Sequence, residues 1–367
     1  MAKHCPANER IKREYLIYLK EAQRYSEASI DSVAAAIARF EQSTDYKDFK
    51  RFHIQQAVAF KKKLASQPRA NTGKPIALAT QRATLCILRS FFVWLAGQPG
   101  FKSRFAYSDA DYFNLSDKDN RIAQTHTKRP SPSLDQALLV IRSMPCATVI
   151  EQRDRALMAF TLMTGCRDLA TVSLSLRHID LGSDRVSLDA REVKTKNSKT
   201  FTTFLVSVGD DIRAMFDDWV ETLTRDHNWG PHDPLFPATA MEHDPEHGMR
   251  AVGIKRAHWT TTDPVRRIFR QAFANAGLPY FHPHSFRHTL IRDGIRRCRD
   301  AEQFKAFSQN VGHEYVMTTF KSYGEVDIER QAELIRQLPA PGASPRRTVD
   351  DIMRELSAAV KAEQAGE

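Results

Sequence analysis

The chain has 367 residues, 42% hydrophobic and 27% charged, with 15 Gly and 17 Pro, so collagen-like and largely disordered classes are excluded. That length exceeds one comfortable core and predicts two domains with a linker. Lys and Arg outnumber Asp and Glu by 54 to 44, no run approaches the roughly 18 apolar residues of a membrane span, and the opening MAKHCPANERIKREYL lacks an apolar signal core, so the expected setting is the cytoplasm.

From Ile11 to about Ala96 apolar residues recur at helical spacing: Tyr15, Leu16, Tyr18 and Leu19, then Ile30, Val33, Ile37 and Phe40, then Ile54, Ala57, Val58 and Leu64. Four helices fit. The fourth, Ala77 to Ala96, contains LCILRSFFVWLA and is the most apolar, which predicts a central position. Breakers stand at Gln67-Pro68 and at Gly97 to Gly100. The helical domain is set at 8–105, and the polar span 106–132 reads as the interdomain linker.

This first domain holds the charge. Residues 51–104 carry ten basic side chains and no acid, and the rest of the chain balances to zero. An acid-free stretch interleaved with helical apolar patterns is the footprint of a phosphate-neutralising surface, with Lys61, Lys62, Lys63, Arg69, Lys74, Arg82 and Arg89 as its candidate DNA contacts. Residues 201–250 carry ten acids against three bases, so that segment is expected to face away from a phosphate backbone.

The second domain is set at 133–338. Ser133 is placed to cap a helix carrying LDQALLVIRSM, and Arg153 to Thr164 makes another, ended by Gly165. RVSLDAREV and TFTTFLVSV flank the polar turn Lys194 to Lys199, a hairpin signature. Helices return at about 209–225, 263–276, 284–298 and 301–311. His243 and His247 fall in an acidic, loop-like insertion. Residues 339–367 read as a tether and a final helix, about 348–364, with Val349, Ile352, Met353, Leu356 and Val360 on one face. Five scattered cysteines, none in a C-x-x-C pair, indicate neither a disulfide framework nor a zinc ribbon. His284 and His288 stand four apart on one helix face, yet no carboxylate or Cys motif completes a metal site.

Four islands of reactive residues follow in order: Thr164-Gly165-Cys166-Arg167, the Lys194 turn, His284-Ser285-Phe286-Arg287, and Val311-Gly312-His313 followed by Thr318, Thr319 and Tyr323. Together they resemble the tyrosine recombinase (phage integrase) family of site-specific DNA recombinases, over the chain from the basic helical domain to Tyr323. The resemblance implies a mainly α fold with a small β-sheet. A helical, SAM-like core-binding domain and a catalytic domain would form a C-shaped clamp on double-stranded DNA. It also implies the catalytic set Arg167, Lys194, His284, Arg287, His313 and Tyr323, with no metal or other cofactor.

In that chemistry Tyr323 is the nucleophile. Its phenol attacks phosphorus, leaving a 3′-phosphotyrosyl link and a free 5′-hydroxyl. Arg167 and Arg287 clamp the non-bridging oxygens, His284 and His313 add hydrogen bonds, and Lys194, or Lys196 in its place, protonates the leaving oxygen. Three departures stand against the family pattern: Ala170 where an acid is frequent, which leaves the partner of Arg167 open; ten positions rather than the common nine from His313 to Tyr323; and Thr-Thr-Phe-Leu where Pro-Leu often ends the hairpin. By the same resemblance the active unit is a homotetramer on paired sites, helped by accessory DNA-bending or directionality proteins, in a nucleoid-associated, mobile-element setting. The 348–364 helix would dock on a neighbouring protomer. The alternatives are type IB topoisomerase-like relaxation, favoured less by the Gly-His island, and a non-catalytic DNA-binding regulator, which would not need the intact set.

Overall fold

The computed structural model describes residues 4–68, 73–125, 130–246 and 248–313, with Gln331 and Arg336 as single positions. Arg69, His247, Tyr323 and the 348–364 helix lie outside the described residues. The chain divides into two compact units, Met1–Thr127 and Lys128–Glu367.

The first unit contains the four helices expected from periodicity: α1 (Pro6–Glu21), α2 (Glu27–Ser43), α3 (Ile54–Ser66) and α4 (Leu78–Ala96). Ser26 starts α2 by accepting from the Ser29 amide, and the His53 ring and Gln56 side chain form a reciprocal cap on α3. Helix α4 is central because Leu88, Phe91, Phe92 and Leu95 are wholly buried. Phe92 is the hub of an aromatic core, with Phe40 edge-on at 5.3 Å and Phe113 stacked at 4.9 Å.

Phe113 corrects the linker expectation. Much of the polar span 106–132 is folded: Tyr107–Tyr112 forms a 3-10 turn, Asp117–Gln124 forms α5, and Phe105, Ala110 and Phe113 are buried in the first core. Phe113 within the span and Phe105 just before it hold the segment down, which average composition conceals.

The second unit is built around α7 (Val149–Thr164). Every side chain from Ala156 to Thr164 is buried, as a helix enclosed on all sides requires. Helix α6 (Leu134–Ser143) starts at the Ser133 cap, which accepts from the Gln136 amide. A short α8 (Asp168–Thr171) leads into an antiparallel sheet of order β1 (Ile179–Asp180), β2 (Arg185–Leu188), β3 (Phe201–Phe204), with Leu188 opposite Phe201. The expected lysine hairpin is therefore present, with β3 at the sheet edge. Then come α9 (Asp210–Glu221), β4 (Ala238–Asp244), β5 (Gly248–Lys255), α10 (Asp263–Asn275), α11 (His284–Arg297) and α12 (Ala301–Asn310).

The β4–β5 hairpin replaces the loop expected around His243, which pairs with Met249 within it. Both faces of these strands are largely exposed, so the pattern has no apolar alternation to reveal a strand. Buried Arg153 anchors it, donating to the Pro237 carbonyl and the Thr239 hydroxyl, each at 3.0 Å.

Candidate active site

The site begins where α7 stops. Gly165 adopts φ +62°, and its amide closes the last turn on the Thr161 carbonyl at 2.9 Å. A side chain here would be strained, and its Cβ would press on Arg287 Cγ and Leu290 Cδ2 at 3.3 Å each. Thr164 braces the turn, its hydroxyl accepting from the Cys166 amide at 3.1 Å while donating to the Phe160 carbonyl at 2.7 Å. This turn delivers half-buried Arg167 to the N-terminus of α8. Asp168 is not its partner, since that carboxylate faces Arg266 at 4.0 Å, and Ala170 is a buried methyl.

Arg287 comes from the first turn of α11 and is 2% exposed. Its Nη1 donates to the Gly165 carbonyl at 3.0 Å and its Nη2 to the Val311 carbonyl. One guanidinium thus ties the first-arginine turn to the Gly-His island, and a guanidinium carries further N–H groups beyond these two. At that island Gly312 takes φ +70°, and a Cβ there would lie 2.6 Å from the ring of Phe201 on β3. The absence of a side chain lets the backbone pass flat over the hairpin and turn His313 inward, where it is 8% exposed.

His284 opens α11 with its ring edge-on to His288 at 4.9 Å. Burial, reinforced by His288, Arg287 and Arg167, pushes its pKa down to about 3. His313 is likewise held at about 3, by burial and then by Arg287, Arg167 and Lys199. Both imidazoles are therefore neutral at neutral pH, each with one N–H donor and one acceptor nitrogen. Arg167 and Arg287 both bear on the two histidines, so the four groups share one region of positive charge.

The lysines divide. A small cavity of about 20 Å³ is lined by Arg167, Arg287, Thr195, Lys196 and Asn310, so Lys196 is the turn lysine that borders the two arginines. Lys194 lies two residues earlier on the same limb, with its amide on the Ser173 hydroxyl at 2.9 Å and its charge felt by His258. Asn197 and Ser198, which follow Lys196, both adopt left-handed φ, at 59° and 51°, and turn the chain back toward β3.

Sequence reading missed four contributors. Asn310 and Ser173 fasten the hairpin ends, and Arg266 and Arg270 on the exposed face of α10 extend positive charge beside Asp168, with Arg270 over the Tyr280 ring at 5.3 Å. The acid-free region 51–104 is also partly neutralised by its fold. Arg89 pairs with Asp111 at 2.7 Å, and Lys61 keeps its charge while donating to Asn114 at 3.1 Å; Lys62, Lys63 and Lys74 stay exposed and Arg82 is half-buried. Among the described residues, no group of three or more His, Cys, Asp or Glu side chains could hold a metal, and no helix is long and apolar enough to cross a membrane.

Residues 137–330 match the phage integrase family. Several solved structures share the fold. A lambda integrase dimer bound to a COC′ core site aligns over 87% of this chain and 99% of that one, at 12% identity and a TM-score of 0.58. The XerH site-specific recombinase in a post-cleavage complex with palindromic difH aligns over 89% and 84%, at 15% identity and a TM-score of 0.56. The Tn1549 transposon integrase in complex with a circular-intermediate DNA aligns over 89% and 99%, at 13% identity and a TM-score of 0.53. At these identities the likeness is one of fold. No curated protein matches the chain.

Proposed function

The chain belongs to the phage integrase family and is a site-specific DNA recombinase, and on that premise we propose how its residues cut and rejoin duplex DNA. The observation that carries the reading is that Arg167 and Arg287 line one cavity and both bear on His284 and His313. The scissile phosphate sits there, its non-bridging oxygens held by the two guanidinium groups as negative charge grows on them. The oxygen of Tyr323 attacks phosphorus, a Tyr O–P bond forms, and the P–O5′ bond breaks. The neutral imidazoles hydrogen-bond the phosphate and can take the phenolic proton. Lys196, bordering the arginines, gives the 5′-oxygen its proton, in preference to Lys194. The reverse steps reseal a strand, and the phosphotyrosyl bond conserves the energy, so the chemistry needs no added cofactor.

The partner is double-stranded DNA, contacted in the first unit through Lys62, Lys63 and Lys74 and in the second through the basic face of α10. A homotetramer on paired sites, with 348–364 docking between protomers and accessory proteins setting direction, completes the reading. Nicked duplexes from the DNA flanking the gene, incubated with the wild type and with Tyr323→Phe and then denatured, test the chemistry. A covalent protein–DNA adduct lost in the variant is expected; binding without any adduct would move the non-catalytic reading ahead. Relaxation of supercoiled plasmid lacking a site would favour the topoisomerase-like alternative.

A further inference from the structure

We propose that Asn310 is a positioning residue that holds the lysine hairpin in register with Arg287 and His313, and so governs proton delivery to the leaving 5′-oxygen. This rests on the reading of Lys196 as the acid.

Among the described residues, β2 is the one strand that pairs with β3. Just past the hairpin, the Leu205 amide turns inward to the Asp184 carbonyl at 2.9 Å, while both backbone groups of Phe204 are taken by Asn310. Asn310 Oδ1 accepts from the Phe204 amide at 2.6 Å, and its Nδ2 donates to the Phe204 carbonyl at 3.1 Å. The same Oδ1 accepts from the Thr203 hydroxyl at 3.3 Å. A primary amide has the donor and acceptor of a peptide group, so Asn310 stands in for one residue of a neighbouring strand.

Its place in the chain gives this contact its consequence. Asn310 ends α12, the next carbonyl, that of Val311, receives Arg287, Gly312 lies on Phe201, and His313 enters the site. Four consecutive residues thus connect the hairpin, an arginine and a histidine. Lys196 itself is exposed on a turn, so its placement depends on the hairpin ends, at Ser173 on one limb and Asn310 on the other. Displacement of an acid by about 1 Å can cost on the order of 100-fold in rate.

The test compares two nicked duplexes, one ordinary and one with sulfur replacing the bridging 5′-oxygen at the cleaved phosphate. A thiolate leaves without being protonated, so the second substrate removes the need for an acid. Asn310→Ala is expected to form adduct roughly 30-fold more slowly than wild type on the ordinary duplex and within about 3-fold of it on the sulfur duplex. Lys196→Ala should show the same selective rescue, and Arg287→Lys should fail on both. Equal loss of Asn310→Ala on both substrates, or no loss on the ordinary one, overturns the inference. If Lys196→Ala is not rescued, the acid reading itself falls and the inference with it; rescue of Lys196→Ala without rescue of Asn310→Ala overturns the inference alone. Should Asn310→Ala melt below the assay temperature, the same ratio is read on Asn310→Gln, which keeps the amide but displaces it by one methylene.

Discussion

Arg287 Nη1 donates to the carbonyl of Gly165 across 3.0 Å, so the second arginine is held by the residue two positions before the first. Arg167 and Arg287 are consequently placed by one turn, and a fault in that turn should reach both.

Gly165→Ala tests this. The alanine would occupy φ +62° with its Cβ 3.3 Å from Arg287 Cγ. Left-handed strain plus crowding should lower stability by about 1–2 kcal/mol. Displacing a buried guanidinium should cost adduct formation about 10-fold or more, beyond what the stability loss explains. Thermal melting and single-turnover cleavage on one preparation separate the two effects; a variant that melts early but cleaves normally at low temperature would contradict the shared placement.

The second glycine makes a separable prediction. In Gly312→Ala the new Cβ would meet Phe201 Cζ at 2.6 Å, a contact that shrinking the ring can relieve. Phe201→Leu alone should be mildly destabilising, and added to Gly312→Ala it should restore part of the loss, a coupling of about 1 kcal/mol. Additive losses in denaturant unfolding would show that backbone strain, rather than ring contact, sets the need for glycine.

Much of this architecture is legible in the sequence wherever one face of an element is buried. The helices of the first unit and the lysine hairpin follow from apolar spacing and turn residues, and the resemblance places Arg167, His284, Arg287 and His313, which the fold then gathers. What escapes reading depends on contacts between distant segments. That Lys196 borders the cavity of Arg167 and Arg287 shows only once the turn is folded. Asn310 looks like an ordinary helix end until β3 lies beside it. The β4–β5 hairpin carries no alternation because water reaches both faces, and Phe113 is an isolated aromatic until the core that receives it exists.

The histidines predict an acid sensitivity with a definite sign. His284 and His313 titrate at about 3 in the folded chain and near the ordinary 6.5 when unfolded. Between those values the unfolded chain binds more protons, so stability is present at neutral pH and falls as the solution is acidified. At pH 5 the loss amounts to about 2 kcal/mol per histidine. Melting curves from pH 7 to pH 5 should therefore drop steeply for the wild type and more gently for His284→Gln combined with His313→Gln. His258, also depressed by burial, leaves a residual slope. An unchanged slope in the double variant would assign the sensitivity elsewhere.

The basic region should act on DNA through its unpaired charges rather than its total. Lys62 and Lys63 are exposed on α3, whereas Arg89 sits 2.7 Å from Asp111 and that pair carries no net charge. Each lysine that meets a phosphate releases about 0.9 of a counterion, so Lys62→Ala and Lys63→Ala should each flatten the plot of log affinity against log salt by about that amount. Arg89→Ala alone bares a carboxylate toward the phosphates and should weaken binding, yet Arg89→Ala with Asp111→Ala should restore both affinity and slope. Salt titrations of binding to one duplex decide the matter. If the double variant stays as weak as Arg89→Ala, Arg89 contacts DNA directly despite its partner; if neither lysine variant alters the slope, the phosphate surface of the first unit does not run through α3.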